Sequence, residues 1–178
     1  RNFFSICLIA SSNYFINEYL DSSFDKYHPS KKKRPAVKSK FHPTSIILIY
    51  MFIIISAFSI SYGANKNFYI FLFIFVIMGI LYNVKPFRTK DRVYLDILSE
   101  SINNPLRVIL GWTIIEAYYL PPSSLLMSFW MGGAFLMTIK RYAEIKSVKK
   151  SNLIKYRKSF KFFNENSLLL KSFFYSLM

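Results

Sequence analysis

Residues 43–65 read PTSIILIYMFIIISAFSISYGAN, and not one of those side chains is charged. Residues 67–84 and 117–139 are equally free of Asp, Glu, Lys and Arg. Each run is near or above the roughly 20 residues that carry a helix across about 30 Å of hydrocarbon. Residues 2–17 and 167–178 read as two further apolar segments, one at each end of the chain. The pattern predicts an all-α fold, a multi-spanning transmembrane helix bundle. It forms a single domain over 1–178, with spans at about 2–25, 43–62, 67–84, 94–117, 121–139 and 167–178. Because the chain starts and stops inside apolar runs, it is expected to be truncated at both ends. No small-residue cleavage site follows the first run, so a signal peptide is not expected.

A formal net charge of +15 on a chain that is 53% hydrophobic is the second constraint. On a soluble domain such a charge would indicate nucleic acid. Here the cations alternate with the apolar runs, so topology explains them and nucleic acid is excluded. Residues 26–40 hold seven Lys and Arg, residues 85–92 hold four, and residues 140–161 hold nine. The intervening turns, 61–67 and 116–123, hold one and none. By the positive-inside rule the three rich loops face the cytoplasm. This orientation fits an integral protein of a bacterial inner membrane whose polar face opens to the cytoplasm. Residues 140–163 are expected to form a basic amphipathic helix on that surface. The lone cysteine, Cys7, reads as a small core hydrophobe.

Two polar faces interrupt this apolar pattern. In Asn17-Glu18-Tyr19-Leu20-Asp21-Ser22-Ser23-Phe24-Asp25, residues Asn17, Asp21 and Asp25 fall within an arc of about 80° on a helix. Asn13 shares that face and reads as a satisfied polar contact between helices, with reach to substrate as the alternative. In the span at 94–117, Asp96, Glu100, Asn103, Asn104 and Arg107 share an arc of about 100°, and Pro105 kinks the helix beside them. An Asp at the bilayer centre costs about 2.5–3.5 kcal/mol on insertion scales, so intramembrane acids default to a functional role. A divalent cation with a polyphosphate offsets that cost best, since Mg²⁺ takes a few carboxylates plus phosphate oxygens. The competing reading is an internal salt-bridge network in which Arg107 neutralises Asp96 or Glu100. A transporter or channel subunit is the rival from another class, although its charges would spread through the membrane depth.

At these residues the chain resembles the UbiA superfamily of membrane prenyltransferases. The family's first motif, N-D/E-x-x-D-x-x-x-D, stands here as Asn17, Glu18, Asp21 and Asp25. Its second motif corresponds to Asp96 through Glu100, with Glu in place of the final Asp. The stretch from Asp25 through His28, Pro29, Lys31, Arg34 and Pro35 is similar to the D-x-x-H-P-x-K-x-x-R-P of the decaprenyl-phosphate phosphoribosyltransferase branch. Tyr82, Lys85, Arg107 and residues 140–144 also look like that branch, whereas residues 100–105 depart from its Gly-Phe stretch. The resemblance implies a Mg²⁺-dependent transferase with Asp21, Asp25 and Asp96 as catalytic metal ligands. It implies substrate contacts from Asn17, Lys31, Arg34, Lys85, Arg88, Glu100, Asn103, Arg107, Lys140 and Arg141. The partners implied are an isoprenoid lipid substrate, a diphosphate and membrane lipid. The reaction expected first is prenyl transfer from an isoprenyl diphosphate to an acceptor. The alternative is 5-phosphoribosyl transfer from phosphoribosyl diphosphate to polyprenyl phosphate. His28 reads as a loop cap or phosphate contact rather than a general base.

Overall fold

The computed structural model describes residues 1–39, 41–93 and 95–178, and the described residues contain helices and no strand. The helices are α1 (Asn2–Asp25), α2 (Pro35–Lys38), α3 (Pro43–Ile60), α4 (Lys66–Asn83) and α5 (Leu95–Ser101). They continue with α6 (Asn103–Ile115), α7 (Ser123–Ser147), α8 (Leu153–Tyr156) and α9 (Glu165–Leu177). Short 3₁₀ turns at Lys31–Lys33, Thr89–Asp91, Lys150–Asn152 and Lys158–Lys161 punctuate the basic loops. Local chemistry sets several boundaries. Pro35 and Pro43 open α2 and α3 at the first helical position, where a missing N–H costs nothing. Asn65 caps α4 by accepting from the Phe68 N–H at 2.9 Å, and Asn164 with Ser167 forms a capping box on α9. Gly63, at φ +85°, makes the tight turn between α3 and α4.

Two helices, α3 and α4, are long and apolar enough to cross a membrane, with mean hydropathies of 2.1 and 1.6. On α3 the buried positions Ile46, Tyr50 and Ala57 form one narrow stripe, while Ile47, Leu48, Met51, Phe52 and Ile55 are exposed. A helix with so much large apolar surface turned outward is suited to lipid rather than water. Helices α1 and α7, of 24 and 25 residues, are also long enough to span, but each devotes one face to polar groups. Cys7 faces outward on α1, so the expected core position is corrected.

The packing forms three clusters, the smallest made by Ile16 of α1 with Ile46 and Tyr50 of α3. Ile9 of α1, Ala57 of α3, Phe68, Leu72, Phe75 and Val76 of α4, and Leu106 and Leu110 of α6 make the first. Ile97 of α5, Ala134 of α7, Val148, Tyr156, Phe160, Phe163 and Leu168 make the second, which docks α9 along α7.

Two expected elements differ. The span expected from Tyr94 to residue 117 is two helices, broken at Ile102, and Tyr94 itself lies outside the described residues, as does Lys40 of the first basic loop. Pro105 has no N–H to give the Ser101 carbonyl, and its ring crowds the preceding turn, which accounts for the break. The surface helix expected over 140–163 does not form as one unit. α7 runs on to Ser147, because Thr138, Arg141 and Glu144 continue its buried face. Beyond it the chain turns inward in short pieces, with Arg157 extended at φ −149°. Burial of Tyr156, Ser159, Phe160 and Phe163 and the ion pairs of Arg157 outweigh the helical preference of this segment.

Candidate functional site

The basic loops and the polar helix ends meet around one cavity. Its walls come from α1 (Asn17, Asp21, Phe24, Asp25), the loop after it (Lys31, Arg34), α4 (Tyr82) and the turn at Arg88, Lys90 and Asp91. Glu100 of α5, Lys140 and Arg141 of α7, and Tyr156 and Arg157 complete it. Seven Lys and Arg therefore face four carboxylates, a surplus of positive charge in a partly enclosed space.

Each cation is held in place. Asp21 Oδ1 accepts from Arg88 at 2.9 Å and from Lys90 at 2.6 Å, and Lys90 also donates to Asn17 Oδ1 at 3.0 Å and Asn83 Oδ1 at 2.8 Å. Arg34 donates to Asp25 Oδ2 at 2.8 Å. Lys31 reaches across the cavity mouth to Glu144 at 2.6 Å and to the Tyr156 hydroxyl. Its approach is fixed by His28, whose Nδ1 accepts from the Ser30 and Lys31 amides at 3.3 Å while the ring packs on Tyr156. This is the loop-capping role expected for His28.

At the back, Asp96 is fully buried and saturated. Arg141 donates to both of its oxygens at 3.1 Å, Arg157 donates to Oδ1 at 2.5 Å, and the Ser159 hydroxyl donates to Oδ2 at 3.0 Å. Arg141 also bonds Glu144 at 3.0 Å, Glu100 and the Tyr82 hydroxyl, which in turn donates to Glu100 at 2.6 Å. Arg88, at φ +31° and ψ 62°, is in the left-handed region, which a non-glycine residue enters at a cost. Its guanidinium lies 4.7 Å from the Phe24 ring and meets Asp21, which holds that conformation.

Burial tunes the loop cations. It pushes Lys90 down to about 8 against the opposing pull of Asp21, and lowers Lys31 against the pull of Glu144. His28 is lowered, chiefly by burial and then by Lys31. Tyr156 is raised by burial and by the adjacent Glu144 carboxylate. Arg157 stays charged, because Asp96 and its neighbours overcome the desolvation.

The residues present fit Mg²⁺ in part. The cationic contacts to Asp21 fall on Oδ1 and that to Asp25 on Oδ2, so these ion pairs leave the second oxygen of each cavity-lining α1 carboxylate untaken. One or two carboxylates with phosphate oxygens and water is the set this ion prefers. Asp96 does not join them, since two guanidiniums and a hydroxyl take both its oxygens. Among the described residues no group of three or more acidic, His or Cys side chains is arranged to hold a metal.

Of the residues expected at the site, Asn17, Asp21, Asp25, Lys31, Arg34, Arg88, Glu100, Lys140 and Arg141 line this cavity. Lys85 does not; it is exposed in a surface dip that adjoins the cavity and shares Arg88 and Asp91 with it. Asn103 and Arg107 line an adjoining cavity instead. Arg107 is exposed, with its guanidinium 5.6 Å from the Phe75 ring, so the salt bridge that the competing reading gave it, to Asp96 or Glu100, is made by Arg141 instead. Sequence reasoning missed Lys90, Arg157, Glu144 and Tyr156 as site residues. Lys90 was visible only as one cation of a topological loop, and Arg157 only as part of a supposed surface helix.

Comparison with known proteins bears on this geometry. No solved structure matches the chain. It is 27% identical over 166 residues to a decaprenyl-phosphate phosphoribosyltransferase of Mycolicibacterium smegmatis, covering 93% of this chain and 50% of that protein. It is 24% identical over 149 residues to the nodulation protein NoeC of Azorhizobium caulinodans, covering 83% and 47%. The chain thus spans about half the length of these relatives. The model of the UbiA prenyltransferase family matches residues 2–167, from α1 to the start of α9. The chain belongs to the UbiA prenyltransferase family of integral membrane proteins.

Proposed function

We propose that this chain carries the polar site of a Mg²⁺-dependent transferase that displaces diphosphate from phosphoribosyl diphosphate and joins the 5-phosphoribosyl group to a polyprenyl phosphate. The observation that carries the reading is the cavity where seven cations face four carboxylates, Asp21 and Asp25 of α1 among them. A diphosphate brings the negative charge that such a surplus requires, and guanidinium forks suit its oxygens. The choice of donor is supported by the first relative's name and by the His28, Pro29, Lys31, Arg34, Pro35 series. We also place the membrane as a bacterial inner membrane with the site at its cytoplasmic face, on the strength of the basic loops.

In this reading the bond between the anomeric carbon and the diphosphate oxygen breaks, and its electron pair leaves with the diphosphate. A lipid phosphate oxygen forms the new bond to that carbon. The lipid phosphate is already an anion, so no general base is needed. Arg88, Lys90, Lys31 and Arg157 neutralise the charge that accumulates on the leaving group. Asp21 and Asp25 would hold Mg²⁺, which when bound supplies Lewis-acid neutralisation of the same oxygens. Arg141, braced by Asp96, Glu100 and Glu144, fixes Tyr82 and the back wall.

A second reading, prenyl transfer from an isoprenyl diphosphate, uses the same cavity. It is favoured by the apolar groove along α6 and α7 that includes Val108, Phe129 and Leu136. One assay separates them. Membranes bearing the protein receive labelled phosphoribosyl diphosphate with polyprenyl phosphate, or labelled isoprenyl diphosphate with aromatic acceptors. Entry of only the phosphoribosyl label into the lipid phase, and only with Mg²⁺, is the expected result. Entry of only the prenyl label overturns the donor assignment.

A further inference from the structure

Beside the cationic cavity lies a second one, and the two share Tyr14, Asn17, Tyr82 and Glu100 on their common wall. The second cavity is lined by asparagine amides from three directions: Asn13 and Asn17 of α1, Asn83 of α4, and Asn103 and Asn104 at the start of α6. Two of these amides are incompletely bonded. The carbonyl oxygens of Asn13 and Asn103 are buried without a partner among the described residues. Their orientation is fixed, since Asn13 Nδ2 donates to the Phe75 carbonyl at 3.2 Å and Asn103 Nδ2 donates to the Glu100 carbonyl at 3.2 Å. Flipping either amide would set two acceptors against each other.

Gly79 of α4 makes room for this arrangement, because a Cβ there would collide with Asn13 Oδ1. Gly133 of α7 does the same for the Asn104 amide. Two helices thus omit side chains where asparagines enter. Buried acceptors without partners call for a hydrogen-bond donor, a part that water plays until a ligand displaces it. Phosphate oxygens cannot donate, and an isoprenoid chain would leave the amides unpaired out of water. An ammonium group would meet the Arg107 guanidinium, and the one carboxylate on the wall, Glu100, is already taken by Tyr82, Lys140 and Arg141. Neutral hydroxyls answer all three conditions.

We propose that the amide cavity reads the sugar hydroxyls of the donor while its diphosphate lies in the cationic cavity, with Asn13 and Asn103 as specificity-determining residues. The inference rests on the phosphoribosyl reading given above. A site built to bond a hydroxyl rejects the analogue that lacks it far more strongly than an apolar pocket rejects an extra one.

The test is equilibrium binding to the purified protein in detergent with Mg²⁺. The probes are pyrophosphate, phosphoribosyl diphosphate, and the analogues lacking the ribose 2- or 3-hydroxyl. The parent should bind phosphoribosyl diphosphate at least tenfold more tightly than one or other deoxy analogue. Asn103→Ala or Asn13→Ala should reduce that preference to less than threefold while pyrophosphate affinity stays within twofold. Retained pyrophosphate binding also reports that each variant is folded. A parent that binds pyrophosphate but does not distinguish the deoxy analogues overturns this inference alone. So does a preference that survives in both variants. A parent that binds no pyrophosphate overturns the diphosphate site and this inference with it.

Discussion

Replacing Asp96 with Asn separates a structural anchor from a metal ligand. Asp96 is fully buried and receives four hydrogen bonds, two from Arg141 and one each from Arg157 and Ser159. The amide removes the charge that balances two guanidiniums and replaces one acceptor with a donor facing them. Removing one partner of a buried ion pair costs about 3–5 kcal/mol, because the other charge is left uncompensated. For a domain of this size each kcal/mol moves the melting temperature by about 2–4 °C. Asp96→Asn should therefore melt about 6–20 °C below the parent when followed by tryptophan fluorescence in detergent. Adding Arg157→Leu should recover part of that loss, since it removes one of the stranded cations. Were Asp96 a metal ligand held apart from the arginines, the variant would keep its stability and lose Mg²⁺ affinity. A melting temperature within 2 °C of the parent would refute the anchoring role.

Three further outcomes are expected. Asp21→Asn combined with Asp25→Asn should still insert into membranes but lose transfer, together with the Mg²⁺ dependence of pyrophosphate binding; full activity in the purified double variant would remove the α1 carboxylates from the site. Lys90 is charged below its folded-state value of about 8 and neutral above it. Pyrophosphate affinity should accordingly fall as pH rises from 7 to 9, and Lys90→Arg should abolish that decline. A pH-independent parent would show that Lys90 does not face the anion. Arg107→Leu should change pyrophosphate affinity less than twofold, since Arg107 lines the amide cavity and not the cationic one; a tenfold loss would return it to the diphosphate site.

The membrane character and the places of the long helices were legible because charge-free runs of membrane length leave few alternatives. Residues 2–25 and 43–62 carried their own boundaries: a cation cluster after Asp25, and Pro43 with Gly63 around the second span. The acidic and amide face of α1 was equally readable, as i,i+4 spacing puts Asn17, Asp21 and Asp25 on one side. What periodicity does not reveal is which cation meets which acid. Arg107, three residues along the same face from Asn104, was the cation that the competing salt-bridge reading gave to Asp96 or Glu100. The actual partners, Arg141 and Arg157, come from α7 and a later loop, 45 and 61 residues away. Lys90 was hidden for a similar reason. A loop lysine is read as solvated until the fold buries it against Asn17, Asp21 and Asn83. The break of the fourth span at Ile102 had its signal in Pro105, but the sequence suggested a kink where two helices form.

The most direct measurement of the central claim is the affinity of labelled pyrophosphate for the purified protein, with and without Mg²⁺, in the parent and in Arg88→Gln. Arg88 is held in a left-handed conformation to meet Asp21 at the cavity wall and has no role in the hydrophobic clusters. A Mg²⁺-dependent affinity that drops at least tenfold in Arg88→Gln is the predicted result. Equal binding by parent and variant, or none by the parent at any Mg²⁺ concentration, would contradict it.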